Sequence, residues 1–267
     1  MYGMDHASVR FGDVVALDDV TVHVPAGRVV AVVGGDGAGK TTLLRALVGE
    51  LTVDSGTVRS PDKTRLGYLP ATAGSWLELT VAENLEFVGS VFGLRGTALA
   101  DRSDALVEAA GLSGAADRLS GHLSGGMRRK LGFSLAMIHE PPLLVLDEPS
   151  TGVDPVSRVD LWRLISQAAA RGAGVLMTTT YLDEAERAEH LVVLDQGRVV
   201  VEGPPEDVVS GFADTITRTT SPTRPQWAWR RGRLFHELTP SAGPDDDVIA
   251  PDLEDVVIAM SLLARAR

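Results

Sequence analysis

This chain of 267 residues contains no cysteine, few aromatic residues and fewer basic than acidic residues. The absence of cysteine excludes disulfide bonds and thiolate metal sites, and it suits a reducing compartment. Lysine and arginine number 25 against 36 aspartates and glutamates, which gives a formal net charge of −11. Because sequence-independent binding of nucleic acid needs a basic surface, we expect no nucleic-acid partner.

Long apolar runs are also absent. No run approaches the ~18 residues of a membrane-spanning helix, and residues 1–13 lack the basic and apolar regions of a signal peptide. The hydrophobic content of 44% is that of a globular chain with a substantial core. We therefore expect a soluble protein that stays where it is made and reaches a membrane only by docking on another protein.

Residues 29–48 contain the most specific motif of the chain. VVAVV is apolar and β-branched, which is typical of a buried parallel strand. The next segment, GGDGAGKT, matches G-x-x-x-x-G-K-[ST] and leads into an amphipathic helix, as a phosphate-binding loop requires. Glycines let successive N–H groups point at one anion, and the helix directs its positive dipole end there. The predicted nucleoside triphosphate site comprises Gly34, Gly35, Asp36, Gly37, Ala38, Gly39, Lys40, Thr41 and Thr42.

A second polar motif follows a predicted buried strand at residues 143–146. This strand ends in Asp147 and Glu148, and paired carboxylates are costly there unless a positive group meets them. We expect Lys40 to bind the outer phosphates, Thr41 and Asp147 to hold Mg²⁺, and Glu148 to polarise the attacking water. The alternative is that one of the two carboxylates is a turn residue at the strand end.

Two further features have two interpretations each. Phe11 precedes a Gly-Asp turn, and it is either a core or edge-strand aromatic or a ring that stacks on the nucleotide base. Ser124, Gly125 and Gly126 precede a predicted helix. They serve either packing or a second anion site made of a hydroxyl, two N–H groups and a helix dipole. Asp154 is predicted to cap another helix, because proline follows it at the first helical position.

The overall pattern predicts an α/β fold. Apolar runs and turn signals over residues 7–33 predict antiparallel strands that lead into the phosphate-loop strand. Residues 76–140 are predicted to be nearly all helical, which indicates a helical subdomain inserted into the core. Its first helix should begin with a capping box made by Thr80 and Glu83, and its second should span about 99–110.

The second half of the chain is less regular. Residues 174–179 predict a buried strand, and residues 190–201 predict a hairpin that turns at Gln196-Gly197. Residues 215–248 match no clear pattern. A final amphipathic helix is predicted after Asp252.

Five motifs occur in a fixed order: GGDGAGKT, GYLP before the helical insert, LSGGM, LLVLDEP with STGVD, and TTTYLDEAE. This set resembles the nucleotide-binding subunit of an ABC transporter over residues 4–210. LSGGMRRKL, YLDEAE and DLEDVVIAM resemble the drug-resistance type of bacterial exporter ATPase. The resemblance implies an ABC-type P-loop NTPase core with an N-terminal antiparallel β subdomain and an inserted α-helical subdomain. Residues 211–267 would form a C-terminal extension.

The resemblance also implies a head-to-tail dimer that binds ATP and Mg²⁺ between the phosphate loop of one subunit and the LSGG segment of the other. Ser124, Gly125 and Gly126 would then contact the γ-phosphate held by the partner, Asp154 would lie at the dimer seam, and Phe11 would stack on the base. Closure and opening of the dimer would drive a separate transmembrane permease. The expected location is therefore the cytoplasmic face of the cell membrane.

Three positions depart from the family pattern. Ala71 stands where the family has a glutamine that contacts Mg²⁺ and the water, and Thr180 stands where a histidine holds the γ-phosphate. Met127 replaces the fifth signature residue, usually glutamine. Loss of one such donor costs ~10²–10³ in rate. We therefore expect the site to bind MgATP well and hydrolyse it slowly, with Glu148 and Thr180 as its catalytic residues.

The favoured hypothesis is the degenerate half of a heterodimer whose second ATPase subunit is complete. One alternative is a homodimeric, fully active exporter ATPase that tolerates Ala71 and Thr180. Another is an ABC-type ATPase outside transport, which acts on a nucleic-acid or protein machine; the acidic balance argues against it. A switch that binds ATP without cleaving it is disfavoured by the intact Glu148. The transported substrate does not follow from this sequence.

Overall fold

The computed structural model describes residues 1–72, 74–240, 242–244 and 246–266. The strands are β1 Tyr2–Phe11, β2 Val14–Val24, β3 Val29–Val33, β4 Ser55–Arg59, β5 Leu66–Leu69, β6 Leu143–Leu146, β7 Gly174–Thr179, β8 His190–Asp195, β9 Arg198–Gly203, β10 Thr215–Thr219, β11 Ala228–Arg231, β12 Leu234–Thr239 and β13 Asp247–Val248. The helices are α1 Lys40–Leu47, α2 Val81–Val91, α3 Gly96–Ala109, α4 Gly125–Met137, α5 Pro155–Ala170, α6 Leu182–Ala185, α7 Pro205–Ser210 and α8 Leu253–Arg265.

The central sheet has the strand order β5-β6-β7-β3-β8-β9 and is parallel except for β9. Its strand β3 is buried on both faces, which is why its sequence is apolar without alternation. Val29, Ala31 and Val33 face a core that includes α2 to α5, whereas Val30 and Val32 face a core that includes α1 and the first two strands. The predicted α/β class is therefore confirmed.

A three-stranded antiparallel sheet, β2-β1-β4, covers the α1 side of the central sheet. The predicted antiparallel strands are present, and the apolar runs at 14–17 and 20–24 belong to the one strand β2. Within β2, Asp19 has a φ of +56°, and the pairing of β1 with β2 shifts register around it. Bulges of this kind break the alternation of side chains without ending the strand.

Helices α2, α3 and α4 lie in the segment predicted to be helical. The capping box at the start of α2 is confirmed, since Thr80 accepts from the Glu83 N–H and Glu83 accepts from the Thr80 N–H. The prediction for α3 was wrong at its start, because the helix begins at Gly96. Residues 96–98 are polar or small, so they extend the helix without adding to its apolar stripe. Asp154 caps α5, as predicted.

The segment without a clear pattern, residues 215–248, folds into a small antiparallel sheet with the order β11-β12-β10-β13. Its strands are mostly half-buried, and few of their residues reach a core that α8 completes, so alternation is weak. The predicted hairpin is confirmed as β8–β9, and the predicted final helix is α8. No helix in the described part of the chain is long and apolar enough to cross a membrane.

Candidate nucleotide site

The loop between β3 and α1 needs its glycines. Gly37 and Gly39 have φ angles of +77° and +107°, in the region that favours glycine. A Cβ atom at Gly34 would lie 2.2 Å from the carbonyl oxygen of Leu194, and one at Gly39 would lie 2.6 Å from that of Ala16. The top of the loop, residues 35–37, is exposed. Gly34 and Gly39 at the two ends of the loop thus pack against neighbouring backbone, while residues 35–37 remain accessible to a ligand.

Lys40 is buried, with 7% of its surface exposed. Its Nζ donates to the carbonyl oxygens of Gly34 and Gly35 at 2.7 and 3.1 Å. The same Nζ lies 3.8 Å from Oε1 of Glu148. The ammonium group is therefore placed between the phosphate loop and the second predicted motif, where a buried cation has both carbonyl and carboxylate partners.

Asp147, directly after β6, is hydrogen-bonded to residues of both neighbouring strands, β5 and β7. Its N–H donates to the Leu69 carbonyl at 2.8 Å, and its Oδ1 accepts from the Thr178 hydroxyl at 2.8 Å. Its Oδ2 lies 3.4 Å from the hydroxyl of Thr41 at the start of α1. The carboxyl ends of parallel strands share one edge of the sheet, so side chains from distant parts of the sequence converge there.

Glu148 has a φ of +46°, which is uncommon for a residue other than glycine. Adjacent side chains of a regular strand point to opposite faces. After this turn, Asp147 contacts Thr41 and Glu148 approaches Lys40, so both carboxylates serve one site. The conformation is supported by a hydrogen bond of 3.0 Å from the Glu148 N–H to the Thr178 hydroxyl.

The residues present fit a magnesium–nucleotide complex. The Thr41 hydroxyl and the Asp147 carboxylate are oxygen ligands of the kind that Mg²⁺ prefers, and the loop and α1 offer N–H groups to phosphates. Among the described residues, no group of three or more His, Cys, Asp or Glu forms a metal site. Mg²⁺ commonly binds through one or two protein oxygens together with substrate phosphates, and Thr41 and Asp147 supply two such oxygens.

The structure separates the glycines of LSGG by burial. Gly126 is buried, and a Cβ there would lie 2.6 Å from Ser157 Oγ and 3.2 Å from Asp154 Oδ2. Ser124 and Gly125 are exposed, and the Ser124 hydroxyl accepts from the Met127 N–H at 3.2 Å. The packing interpretation therefore applies to Gly126, whereas Ser124 and Gly125 remain accessible.

Asp154 and Phe11 are also exposed. Asp154 accepts from the N–H groups of Val156 and Ser157 at 3.1 and 3.0 Å, and hydrogen bonds from Ser157 lead the causes that lower its pKa. Phe11 lies at the end of β1 opposite Val14 with 49% of its surface exposed. The structure thus excludes a core role for Phe11 and leaves the edge-strand and base-stacking interpretations.

A family model described as "ABC transporter" matches residues 17–151. The chain belongs to the ABC transporter family. It is an ATPase domain of the ABC type.

Named relatives agree with this family. The probable multidrug ABC transporter ATP-binding protein YbhF of Escherichia coli (strain K12) is 40% identical over 214 residues, which are 76% of this chain but 37% of that protein. The Nod factor export ATP-binding protein I of Cupriavidus metallidurans is 39% identical over 210 residues, 74% of this chain and 69% of that protein. The daunorubicin/doxorubicin resistance ATP-binding protein DrrA of Streptomyces peucetius is 37% identical over 214 residues, 76% and 65%.

Solved structures agree as well. The structure of an ATP-binding subunit of an ABC transporter superposes with a TM-score of 0.72 at 30% identity, and the match covers 79% of this chain and 93% of that one. A dimeric ATP-binding cassette bound to ADP and Pi has a TM-score of 0.68 at 20% identity, covering 76% and 98%. The second match supports the fold alone.

Two residues singled out from the sequence, Ala71 and Thr180, follow the strands on either side of β6. Ala71 follows β5 after Pro70, and Thr180 follows β7, so both lie at the edge of the sheet where Asp147 follows β6. Both are exposed, whereas Met127 in the first turns of α4 is half-buried. This edge of the sheet therefore carries two short, exposed side chains near Asp147.

Two residues of this ABC site were missed by sequence reasoning. Thr178 binds both Asp147 and the Glu148 backbone, and the signal was the TTT run at the end of a buried strand. Arg129 on α4 is 8% exposed, and its guanidinium donates to the Pro70 carbonyl at 3.1 Å. The sequence did not indicate that Arg129 is buried. It lies in the charged segment RRK after LSGGM, and charged residues of a helix are usually exposed.

The segment after Thr180 is bound to α5. Arg158 of that helix donates to Asp183 and to Glu184 at distances of 3.1 to 3.2 Å, and its guanidinium lies 4.3 Å from the centre of the Tyr181 ring. Glu184 is 1% exposed and also accepts from the Thr179 hydroxyl at 2.7 Å. Helix α5, which Asp154 caps, therefore holds the chain on the C-terminal side of Thr180.

Proposed function

We propose that this chain is the ATP-binding subunit of an ABC exporter, which binds MgATP at the interface of an ATPase dimer and couples it to a separate permease. The observation that carries the proposal is the convergence of Lys40, Thr41, Asp147 and Glu148 at one edge of the sheet. Relatives named as export, multidrug and drug-resistance ATP-binding proteins support the exporter class. Such a subunit would work at the cytoplasmic face of the cell membrane.

Each residue of the site has a role in this proposal. The N–H groups of residues 34–42 would bind the phosphates, and Lys40 would bind the outer phosphate oxygens in place of its present carbonyl partners. Thr41 and Asp147 would hold Mg²⁺, which supplies charge neutralisation on the phosphates. Glu148 would orient the attacking water and receive its proton. Phe11, exposed on β1, would stack on the base.

The proposal includes a second subunit. Ser124 and Gly125 would face the γ-phosphate bound by the partner, with Gly126 packed behind them against Ser157, and Asp154 would lie at the seam between the two subunits. The exposure of Ser124, Gly125 and Asp154 supports this arrangement. Because Ala71 and Thr180 lack the groups of the family pattern, we propose that this chain's own site is slow and that its partner in a heterodimer is the more active ATPase.

The test is ATP hydrolysis by the purified chain with Mg²⁺, beside an Ala71→Gln/Thr180→His version and a Glu148→Gln version. ATP binding is measured in all three by equilibrium titration. We expect the unmodified chain to bind ATP and turn it over slowly, and the double substitution to raise the rate by about 10²-fold or more, since each donor is worth ~10²–10³. Glu148→Gln should remove the remaining turnover.

Two outcomes would contradict the proposal in different ways. Failure of every version to bind ATP would refute the nucleotide site itself. Brisk hydrolysis by the unmodified chain alone, abolished by Glu148→Gln, would refute the degenerate-half hypothesis and favour the homodimeric exporter ATPase. Affinity isolation from membranes tests the permease separately, because a transporter subunit should retain a protein with several membrane spans.

A further inference from the structure

Arg129 is a buried arginine whose backbone partner, Pro70, lies at the end of β5 beside the nucleotide site. It lies near the start of α4, the helix that Ser124 caps. Its side chain donates to the Pro70 carbonyl at 3.1 Å, and this is its one hydrogen bond to the described residues, none of which forms an ion pair with it. A guanidinium has five N–H donors. A buried cation with so few partners is costly, and such groups are a feature of functional sites.

The surroundings of Arg129 connect it to the site's carboxylates. Burial lowers the pKa of Arg129, while the negative charges of Asp147 and Glu148 raise it, so its guanidinium lies within the electrostatic field of both. The residue it binds, Pro70, directly precedes Ala71. The Asp147 N–H binds the Leu69 carbonyl, one residue before Pro70. The hydrogen bond of Arg129 therefore acts on the backbone that also holds Asp147.

We propose that Arg129 is a positioning residue for ATP hydrolysis at this chain's own site, where it fixes the end of β5 and sets the charge around Glu148. The inference rests on the proposed ATPase function. At position 71 alanine has no side chain that can reach a metal or a water, so control of that edge of the site falls to Arg129. Because α4 also presents Ser124 to the partner, Arg129 links the segment used by the partner's site to this chain's own.

The test uses Arg129→Met and Arg129→Lys in the full chain, with hydrolysis of bound ATP followed in single-turnover reactions. The methionine substitution removes the charge and all donors, whereas lysine keeps the charge without the planar fork. We expect Arg129→Met to slow hydrolysis on the order of 10- to 100-fold, as small misplacements at a site do. Affinity for MgATP should change by less than about threefold, and lysine should restore part of the rate.

Arg102→Met is the matched control. Arg102 on α3 is a half-buried arginine that donates to the backbone carbonyls of Met137 and Ile138 at 2.6 and 3.1 Å and forms an ion pair of 3.3 Å with Glu140. Burial lowers its pKa as well, but the charges acting on it are those of Glu140 and Arg171, away from the nucleotide site. We expect this substitution to lower thermal stability without lowering the single-turnover rate. An equal loss of rate in Arg102→Met and Arg129→Met would overturn the proposal.

A double-mutant cycle with Ala71→Gln gives the decisive measurement. If Arg129 replaces the function of the absent glutamine, Arg129→Met should cost about threefold or less once glutamine is present at position 71. An effect of the same size in both backgrounds would show a structural role and overturn the inference. If neither the unmodified chain nor Ala71→Gln converts ATP to ADP, the proposed ATPase function fails and the inference fails with it. That outcome is distinct because it needs no Arg129 variant.

Discussion

Substitution of the two LSGG glycines by alanine separates packing from function. A Cβ at Gly126 would lie 2.6 Å from Ser157 Oγ and 2.7 Å from Ser157 Cβ, closer than real Cβ atoms come. The nearest atom to a Cβ at Gly125 is the Gly152 carbonyl oxygen at 3.4 Å, an ordinary contact. We therefore expect Gly126→Ala to force α4 and the start of α5 apart and Gly125→Ala to fit.

The size of the effect follows from overpacking. Added carbon atoms in a packed site cost about 1–3 kcal/mol, and each kcal/mol lowers the melting temperature of a chain of this size by about 2–4 °C. Gly126→Ala should therefore melt about 2–12 °C lower. Gly125→Ala should melt at or slightly above the unmodified temperature, because alanine favours helix over glycine by up to about 1 kcal/mol.

Thermal unfolding by circular dichroism gives the stability, and ATP-dependent dimerisation gives the function. Gly125→Ala should keep the fold but weaken the ATP-bound dimer, since its exposed backbone is proposed to face the partner's phosphate. Ser157→Gly should recover part of the stability lost in Gly126→Ala, because it removes both atoms that clash. Equal melting temperatures for the two alanine variants would refute this reasoning. So would an absence of rescue by Ser157→Gly.

Two further predictions concern buried carboxylates. Arg158→Met should lower the free energy of unfolding in urea by about 3–5 kcal/mol, because Glu184 loses its cation while buried. The addition of Glu184→Gln should recover part of that loss, and no recovery would contradict it. Burial raises the pKa of Glu237, but three hydrogen bonds that its carboxylate accepts from the neighbouring loop lower the pKa by more, so the net shift is downward. Its stabilisation is thus complete above its ordinary pKa of 4.5 and lost as pH falls through the lower folded value. Hydrogen exchange of the amides in β10–β13 should accelerate as pH falls through this range. If Glu237→Gln shows the same acceleration with falling pH as the unmodified chain, the prediction is contradicted.

The elements that could be predicted from the sequence are those whose cause is local. The phosphate loop is set by glycines and by the helix that follows within a few residues. The caps at Thr80 and Asp154 depend on hydrogen bonds that reach three residues along the chain. The sheet of residues 215–248 was not predictable in this way, since its strands are short, half-buried and completed by α8.

The candidate site also has features with local causes, which the sequence predicts, and features that depend on distant contacts. The types and order of Lys40, Thr41, Asp147 and Glu148 are enough by themselves to indicate a nucleotide site. The sequence did not indicate that Arg129 would be buried against Pro70, or that Thr178 would bind Asp147 from the adjacent strand. The two glycines of LSGG looked alike in sequence and differ in the fold, because only Gly126 is packed against Ser157.

By itself the sequence determined the strand, loop and helix of the phosphate site, the helix caps and the chemical types of the site residues. Each depends on torsion angles and hydrogen bonds between residues close in the chain. The tertiary structure decided which strands lie side by side, which charged residues are buried and which glycine faces solvent. These depend on contacts between residues far apart in sequence, such as Asp147 and Thr178, which are separated by 31 positions. Those contacts form only when the whole sheet assembles.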